Sequence, residues 1–499
     1  MNTVRYHEIA GSLSFDTQAF IGGKFLSSIS EKQFETFNPA NGRVITRVSE
    51  CNSADVDRAV AAARAAFESG VWSRMAPRQR KKVLLRFADL IEKNTEELAV
   101  MESVDSGKTI ADAVGFDVPE TVETLRWHAE ALDKLYDQVA PTADNIVAMV
   151  VREPIGVVGL VLPWNFPLYV TMWKLAPALA GGNSVIIKPS ELTSLTTLRL
   201  AKLAAEAGLP EGVLSVVPGF GETAGQALGR HADVDCLSFT GSGEVGRYFL
   251  QYSAETNLKR VVLELGGKSP AVVLDDVRDL KAVAEQVAIG CLFHQGQNCS
   301  AGSRLIVQQG VKNALLDELV SVFKSWTVGD PLDPASRLGA LVEEKHMNRI
   351  LSYIDTGKKE GARLILGGGQ VLQSSGGFFL EPTIFDEVTN SMTIAREEIF
   401  GPVLSIIACT DTQDAIRKAN ETNYGLAASL YTDSVDNAHQ VAKSLRAGQV
   451  SVNCFSEGDQ TVPFGGYKQS GFGGRDKGLQ AHEQYLETKA IWMQLAPRD

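Results

Sequence analysis

Between Val157 and Leu265 the chain alternates short β-rich runs with helical runs of about ten residues. VVGLVL, SVIIKP, VLSVVP, CLSFT and RVVLEL read as strands; WKLAPALAGG, TTLRLAKLAAEAG, ETAGQALGRH and EVGRYFLQYS read as the helices between them. That alternation is the signature of βαβ units on a parallel sheet, and it excludes an all-helical bundle or a β-sandwich. Gly266-Gly267 ends the series. After Pro270 a second, less regular alternation follows, from strand AVVLD through the helix LKAVAEQVAIGCLFHQ to strand RLIVQ and helix KNALLDELVSVFKSW. Upstream, QAFIGGKF reads as a hairpin turning at Gly22-Gly23. Helices are expected over 55–69 with Ser53 as cap, over 77–106 as one element, and over about 120–137. The basic cluster Arg78, Arg80, Lys81, Lys82 and Arg86 reads as a solvated helix face, because acids follow it closely. The fold class is α/β, two parallel-sheet domains with strand-like appendages.

With 499 residues, two to four domains are expected. Acids outnumber bases 60 to 48, a net charge of -12 that repels phosphate backbones and anionic lipid, so neither nucleic acid nor membrane is expected as a partner. No apolar run reaches the roughly 18 residues of a membrane span, and MNTVRYHEIAGSLSFDTQAF lacks the pattern of a signal peptide. The six cysteines are scattered, with no CxxC pair, so no disulfide scaffold and no metal site is expected; a reducing cytoplasm is the natural setting.

Three local features carry chemistry. GSGEVG (Gly241 to Gly246) follows a strand and opens a helix, the context in which glycines and helix amides receive a pyrophosphate. Read alone it is equally a glycine turn. Lys188 and Glu191 stand at the carboxyl edge of SVIIKP, where a lysine beside a carboxylate can hold ribose hydroxyls or form a plain surface pair. Cys299 lies in FHQGQNCSAGS, a polar turn after a long helix, where a thiol can meet a substrate and offer its own backbone N–H. His294 is close in sequence, but nothing marks it as the partner of Cys299. The other five cysteines read as packing residues.

These residues belong to a longer set in fixed order: PWNFP (163–167), KPSE (188–191), FTGS (239–242), LELGGKSP (263–270), QGQNC (295–299), EEIFGP (397–402) and PFGGYKQSG (463–471). Together they resemble the NAD(P)-dependent aldehyde dehydrogenase superfamily from about residue 20 to the end. The resemblance implies two Rossmann-like domains: an NAD-binding domain of 1–142 and 159–265 and a catalytic domain of 266–465. A small β oligomerisation arm and C-terminal tail would comprise 143–158 and 466–499. It implies that Cys299 attacks the aldehyde, that Asn165 and the Cys299 amide stabilise the oxyanion, and that Glu264 is the base that hydrolyses the thioester. Leu162, Trp164, Lys188, Glu191, Gly221, Gly225, Phe239, Thr240, Gly241, Ser242, Glu398 and Phe400 would hold the cofactor. Glu191 repels a 2′-phosphate, so NAD is favoured over NADP, which Lys188 partly tolerates.

The funnel implied for the aldehyde comprises Asp117, Glu120, Phe166, Val170, Trp173, Asn298, Ser300, Glu457 and Phe464, with Trp127 and Asp459 nearby. Asp117 and Glu120, three apart, would share a helix face and bind a substrate ammonium; as acids at a helix start they would equally favour its positive end. Within that superfamily the chain resembles bacterial γ-glutamyl-γ-aminobutyraldehyde and 4-guanidinobutyraldehyde dehydrogenases of putrescine and arginine breakdown, through the tail GD-x-T-x-PFGG-x-KQSG-x-GRDK and EPTIFDEVTN. An extra glycine in SGFGGRDK and Val170–Thr171–Met172 depart from it. An ω-aminoaldehyde or related C4 aldehyde is therefore the expected substrate, with betaine aldehyde or a plain aliphatic aldehyde as alternative. A non-catalytic NAD-binding or structural protein is the remote alternative, against which Cys299, Glu264 and Asn165 stand together. A homo-oligomer, dimer or tetramer, is implied through the REPIG arm and the terminal KAIWMQL strand.

Overall fold

The computed structural model describes residues 3–496; residues 1, 2 and 497–499, at the outer ends of the expected spans 1–142 and 466–499, lie outside them. The five strand runs that open the sequence analysis form the parallel heart of an eight-stranded sheet. Its order is Lys24–Leu26, Ala19–Ile21, Leu214–Val216, Ser184–Lys188, Val157–Val161, Cys236–Gly241, Arg260–Leu265, Gly471–Phe472. The outer pairings are antiparallel: Phe20 faces Val216 on one side and Leu263 faces Phe472 on the other. Strands Val157–Val161 and Ser184–Lys188 are wholly buried, as a central sheet covered by helices on both faces requires.

A seven-stranded sheet carries the later alternation, in the order Arg363–Leu366, Thr383–Asp386, Val403–Cys409, Arg304–Gln308, Pro270–Val273, Ala427–Tyr431, Gln449–Val452. All of its pairings but the first are parallel. A separate three-stranded antiparallel sheet joins Leu486–Gln494 to Ile146–Pro154 and Gln138–Ala140, with Trp492 opposite Ala148.

The early hairpin turns as its glycines require. Ile21 pairs with Lys24, and Gly22 and Gly23 take φ of 60° and 81°, the double left-handed turn that matches strand twist. The helix expected over 77–106 is two, Pro77–Lys93 and Thr95–Ser106. Between them Asn94 turns its side-chain amide back to the Leu90 carbonyl, and an asparagine satisfying a helix end in this way competes with the ladder that would continue it. The helix expected over 120–137 runs Val118–Ala131, preceded by a wider π-turn at Ala113–Asp117. The strand Gly471–Phe472, in the segment expected as tail, closes the edge of the first sheet.

Candidate active site

A cavity of about 670 Å³ opens at the carboxyl ends of the first sheet's strands and runs to the turn that carries Cys299. Open α/β sheets present ligand sites at this edge, because loops leaving adjacent strands part there.

Local structure positions Cys299. The helix Leu280–Leu292 ends in a buried turn in which His294 and Gln295 adopt left-handed φ of 49° and 58°. Gln295 offsets this backbone cost by donating to the carbonyls of Gly107 and Ala340 at 3.2 and 2.9 Å. Gly296 is obligatory there: its φ is 70° and a Cβ would stand 2.3 Å from the Gly401 carbonyl oxygen. The Asn165 side-chain amide donates to the Gln297 carbonyl at 2.9 Å, which holds it beside the Cys299 turn. Burial, then the carboxylates of Glu457, Glu398 and Glu264, hold the Cys299 thiol well above its usual range, opposed by the Ser300 amide. His294 is buried and packs its ring against Phe166, with neither ring nitrogen hydrogen-bonded, so it is no partner of the thiol. Burial pushes the thiols of Cys236, Cys291 and Cys409 up to about 12.

Glu264 comes from strand Arg260–Leu265 and is buried on the cavity wall. No side chain donates to its carboxylate, and the Gly466 backbone amide is the donor that acts on it. Burial, and then the charge of Asp476, raise it well above the ordinary carboxyl range. Asp476 is itself held by Lys174 at 2.8 Å and by the Gln484 amide at 3.1 Å. Gly465 makes room for Glu264: a Cβ there would lie 2.6 Å from Oε1.

The far half of the cavity suits a dinucleotide. Lys188 Nζ and Glu191 Oε2 pair at 2.8 Å on its wall, and Gly241 ends a strand just before the helix Gly243–Glu255, capped by Ser242. Leu162, Phe239, Thr240, Gly221 and Gly225 also line it, and a Cβ at Gly221 would meet only open space. Burial raises Glu398 to about 7, while the Gly267 amide donates to its Oε1 at 2.9 Å. Phe400 takes φ of 61°, unusual for an aromatic residue, and meets Trp164 edge-on at 5.2 Å. His346, Arg349 and Glu343 were not anticipated. His346 Nε2 lies 2.7 Å from the Phe400 carbonyl and Arg349 donates to that of Glu398 at 3.3 Å. Glu343 shares the wall with Glu191, and burial followed by Glu191's charge raises its carboxyl. The spacing of His346 and Arg349 on one helix face was the available signal, but nothing local aims that face here.

The near half is aromatic. Phe166, Val170, Trp173 and Phe464 line it as expected, joined by Tyr169, which stacks edge-on against Trp173 at 4.9 Å. The acids are arranged differently from the expectation. Asp117 does not reach the cavity: it is fully buried and paired with Lys108 Nζ at 2.8 Å, and that ammonium lies 4.0 Å over the Phe166 ring. A lysine buried this deeply needs a carboxylate, and Lys108 claims Asp117. Glu120 also stands off the wall, accepting from Gln460 at 2.9 Å and from the Tyr169 hydroxyl at 3.5 Å. Trp127 packs on His128 at 4.8 Å instead of on the cavity, and Asp459 accepts from the Thr461 amide at 2.8 Å. Glu457 and Asn298 do line the cavity; Ser300 stands behind them, its hydroxyl bonded to Glu457.

Removing one member of the buried pair should cost stability more than chemistry. Lys108→Met leaves Asp117 buried and unpaired, with an expected loss of about 3–5 kcal/mol, read as a lowered midpoint in urea unfolding. An unchanged midpoint would mean the pair is energetically idle.

Set beside known proteins, the chain matches the model of the aldehyde dehydrogenase family over residues 25–491. It is 53% identical over 98% of both chains to an aminoacetaldehyde dehydrogenase of Pseudomonas aeruginosa. It is 45% identical, again over 98% of both, to the NADP/NAD-dependent aldehyde dehydrogenase PuuC of Escherichia coli. Among solved structures, the P. syringae indole-3-acetaldehyde dehydrogenase AldA, a mutant in complex with NAD+ and IAA, superposes with a TM-score of 0.98 at 49% identity, covering 99% of this chain and all of that one.

Proposed function

This chain belongs to the aldehyde dehydrogenase family, and from that premise we propose that it oxidises a short ω-aminoaldehyde, or a related cationic aldehyde, to the free acid with NAD as acceptor. The observation that carries the reading is the convergence of Cys299, Asn165 and Glu264 on one cavity whose far half holds the Lys188–Glu191 pair. The relatives named for aminoacetaldehyde and for NADP/NAD use support the substrate class and the cofactor.

In this reading the Cys299 thiol gives its proton to solvent, Sγ bonds to the carbonyl carbon, and the C=O π pair moves to oxygen. The Asn165 side-chain N–H and the Cys299 backbone N–H receive that oxyanion. The far half, with Lys188, Glu191 and Glu398, would hold a nicotinamide dinucleotide, which when bound would supply the acceptor for the hydride leaving the substrate carbon. Glu264 then accepts a proton from water, the hydroxide adds to the thioester carbon, and the C–S bond breaks to free the acid and return the thiol. Glu264 suits a base because no side-chain donor ties up its carboxylate and its raised affinity for a proton is set first by burial. Around the cofactor, Lys188, Glu191 and Glu398 would bind ribose hydroxyls. A second carboxylate, Glu343, stands beside Glu191 on this wall, with Lys345 next to it.

Appearance of NADH absorbance with purified protein, across aminoaldehydes, betaine aldehyde and alkyl aldehydes, tests the proposal. Turnover of alkyl aldehydes equal to that of aminoaldehydes would favour the second reading, an enzyme for plain or aromatic aldehydes, which the aromatic wall of Phe166, Trp173 and Phe464 supports. Asn165→Ala should lower kcat about 10²–10³-fold with little effect on cofactor binding; a loss confined to KM would remove Asn165 from the oxyanion role.

We also assign the three-stranded sheet to self-association as a dimer or tetramer. Trp492, at 65% exposure, and Val139, at 74%, are apolar groups on its surface. All six cysteines are free, which suits a reducing cytoplasm, and no helix among the described residues is long and apolar enough to cross a membrane.

A further inference from the structure

The near half of the cavity contains one fixed carboxylate, and it is tied to both neighbours of Cys299. Glu457 Oε1 accepts from Asn298 Nδ2 at 3.2 Å and from the Ser300 hydroxyl. Around it stand Tyr169, Trp173 and Phe464, which present apolar and π surface to whatever pairs with that acid. The charges facing Cys299 are all negative: Glu264 from its strand, Glu398 from the loop after Thr393–Arg396, and Glu457 from the loop before Phe464, of which Glu457 does most to keep the thiol protonated. Among the described residues the ammonium near Glu457 is that of Lys477, and it is already engaged. Lys477 Nζ donates to the carbonyls of Glu457 and Gly458, each at 2.8 Å, and lies 5.4 Å over the Trp173 ring. Glu120, the next acid, is occupied by Gln460 and Tyr169.

We propose that Glu457 anchors the positive group of the substrate and that this pairing switches on Cys299, so that a cationic aldehyde promotes formation of the thiolate that attacks it. The physical basis is that a cation on Glu457 cancels the negative potential next to the thiol, and beside a half-buried thiol such a cancellation acts more strongly than in bulk water. A neutral aldehyde leaves Glu457 with only the backbone-held Lys477 ammonium as partial compensation. Because Glu457 is fastened to residues 298 and 300, the distance from anchor to nucleophile is short, and short-chain aldehydes are favoured. The inference rests on the assignment of Cys299 as nucleophile in the proposed function.

The test separates the two. The full-length protein is treated with iodoacetamide over a range of pH, with and without propylammonium, which carries the cation but no aldehyde, and alkylation of Cys299 is followed by peptide mass spectrometry. Propylammonium should accelerate alkylation about tenfold at neutral pH by moving the profile to lower pH; 1-propanol at equal concentration should not. Slower alkylation with propylammonium, or equal effects of the two, overturns the switch. This arm needs no variant. In Glu457→Gln, alkylation should be fast without propylammonium and insensitive to it, and kcat/KM for 3-aminopropanal relative to propanal should fall at least about tenfold. Glu457→Asp should keep the response to propylammonium. A ratio unchanged in Glu457→Gln, or a response that persists there, overturns the anchor. If full alkylation of Cys299 leaves aldehyde oxidation intact, the underlying assignment of the nucleophile fails instead.

Discussion

Cys299→Ala should abolish aldehyde-dependent NADH formation, a loss of about 10⁴-fold or more, while NAD still binds. The size follows from the absence of a substitute. Cys291, eight residues earlier, is buried in the helix Leu280–Leu292 and its thiol is pushed up to about 12. Cys236 and Cys409 are equally buried, and the part-exposed Cys454 is not on the cavity wall. Without sulfur no covalent intermediate can form, and the half of the cavity proposed to hold the cofactor, which carries Lys188 and Glu191, is untouched. Cofactor titration by quenching of protein fluorescence, run beside the NADH assay, distinguishes lost chemistry from lost folding. Residual turnover above about a hundredth of the wild-type rate would mean that the covalent route is not the main one.

Glu264→Gln should separate the two halves of the reaction. Attack and oxidation would proceed once per site, giving an NADH burst equal to the enzyme present, and turnover would then slow by about 10³-fold because no base activates water. The substitution is nearly isosteric, and Gly465 leaves the space it needs. The sign of the pH effect follows from the direction of the Glu264 shift. Burial and Asp476 raise its affinity for a proton, so the competent, ionised form is gained only as pH rises through that raised value. Hydrolysis of the thioester should therefore accelerate toward alkaline pH in the native protein, and this limb should vanish in Glu264→Gln. Rapid-mixing kinetics at several pH values measure both. A variant that loses the burst along with turnover would assign Glu264 to the first half-reaction.

Much of this architecture was legible locally. The parallel strands from Val157 to Leu265, the glycine hairpin at Gly22-Gly23 and the Gly241 strand-to-helix turn follow from backbone rules that act over a few residues. So does the pairing of Lys188 with Glu191, three positions apart at a strand end. The break at Asn94 was missed because a helix-compatible pattern runs through it, and only the side-chain amide turned to Leu90 reveals the competing bond.

The acids mark the boundary most clearly. In sequence Asp117, Glu120 and Glu457 are equivalent carboxylates near expected pocket elements. In the folded chain Lys108 takes the first, Gln460 and Tyr169 the second, and only Glu457 stands on the cavity wall. The sequence alone determined the fold class and the ordered motifs, because strand and helix periodicity and glycine conformations are local properties of the backbone. The tertiary structure alone decided which carboxylate faces the cavity, because a buried charge is claimed by whichever cation or donor long-range packing brings against it.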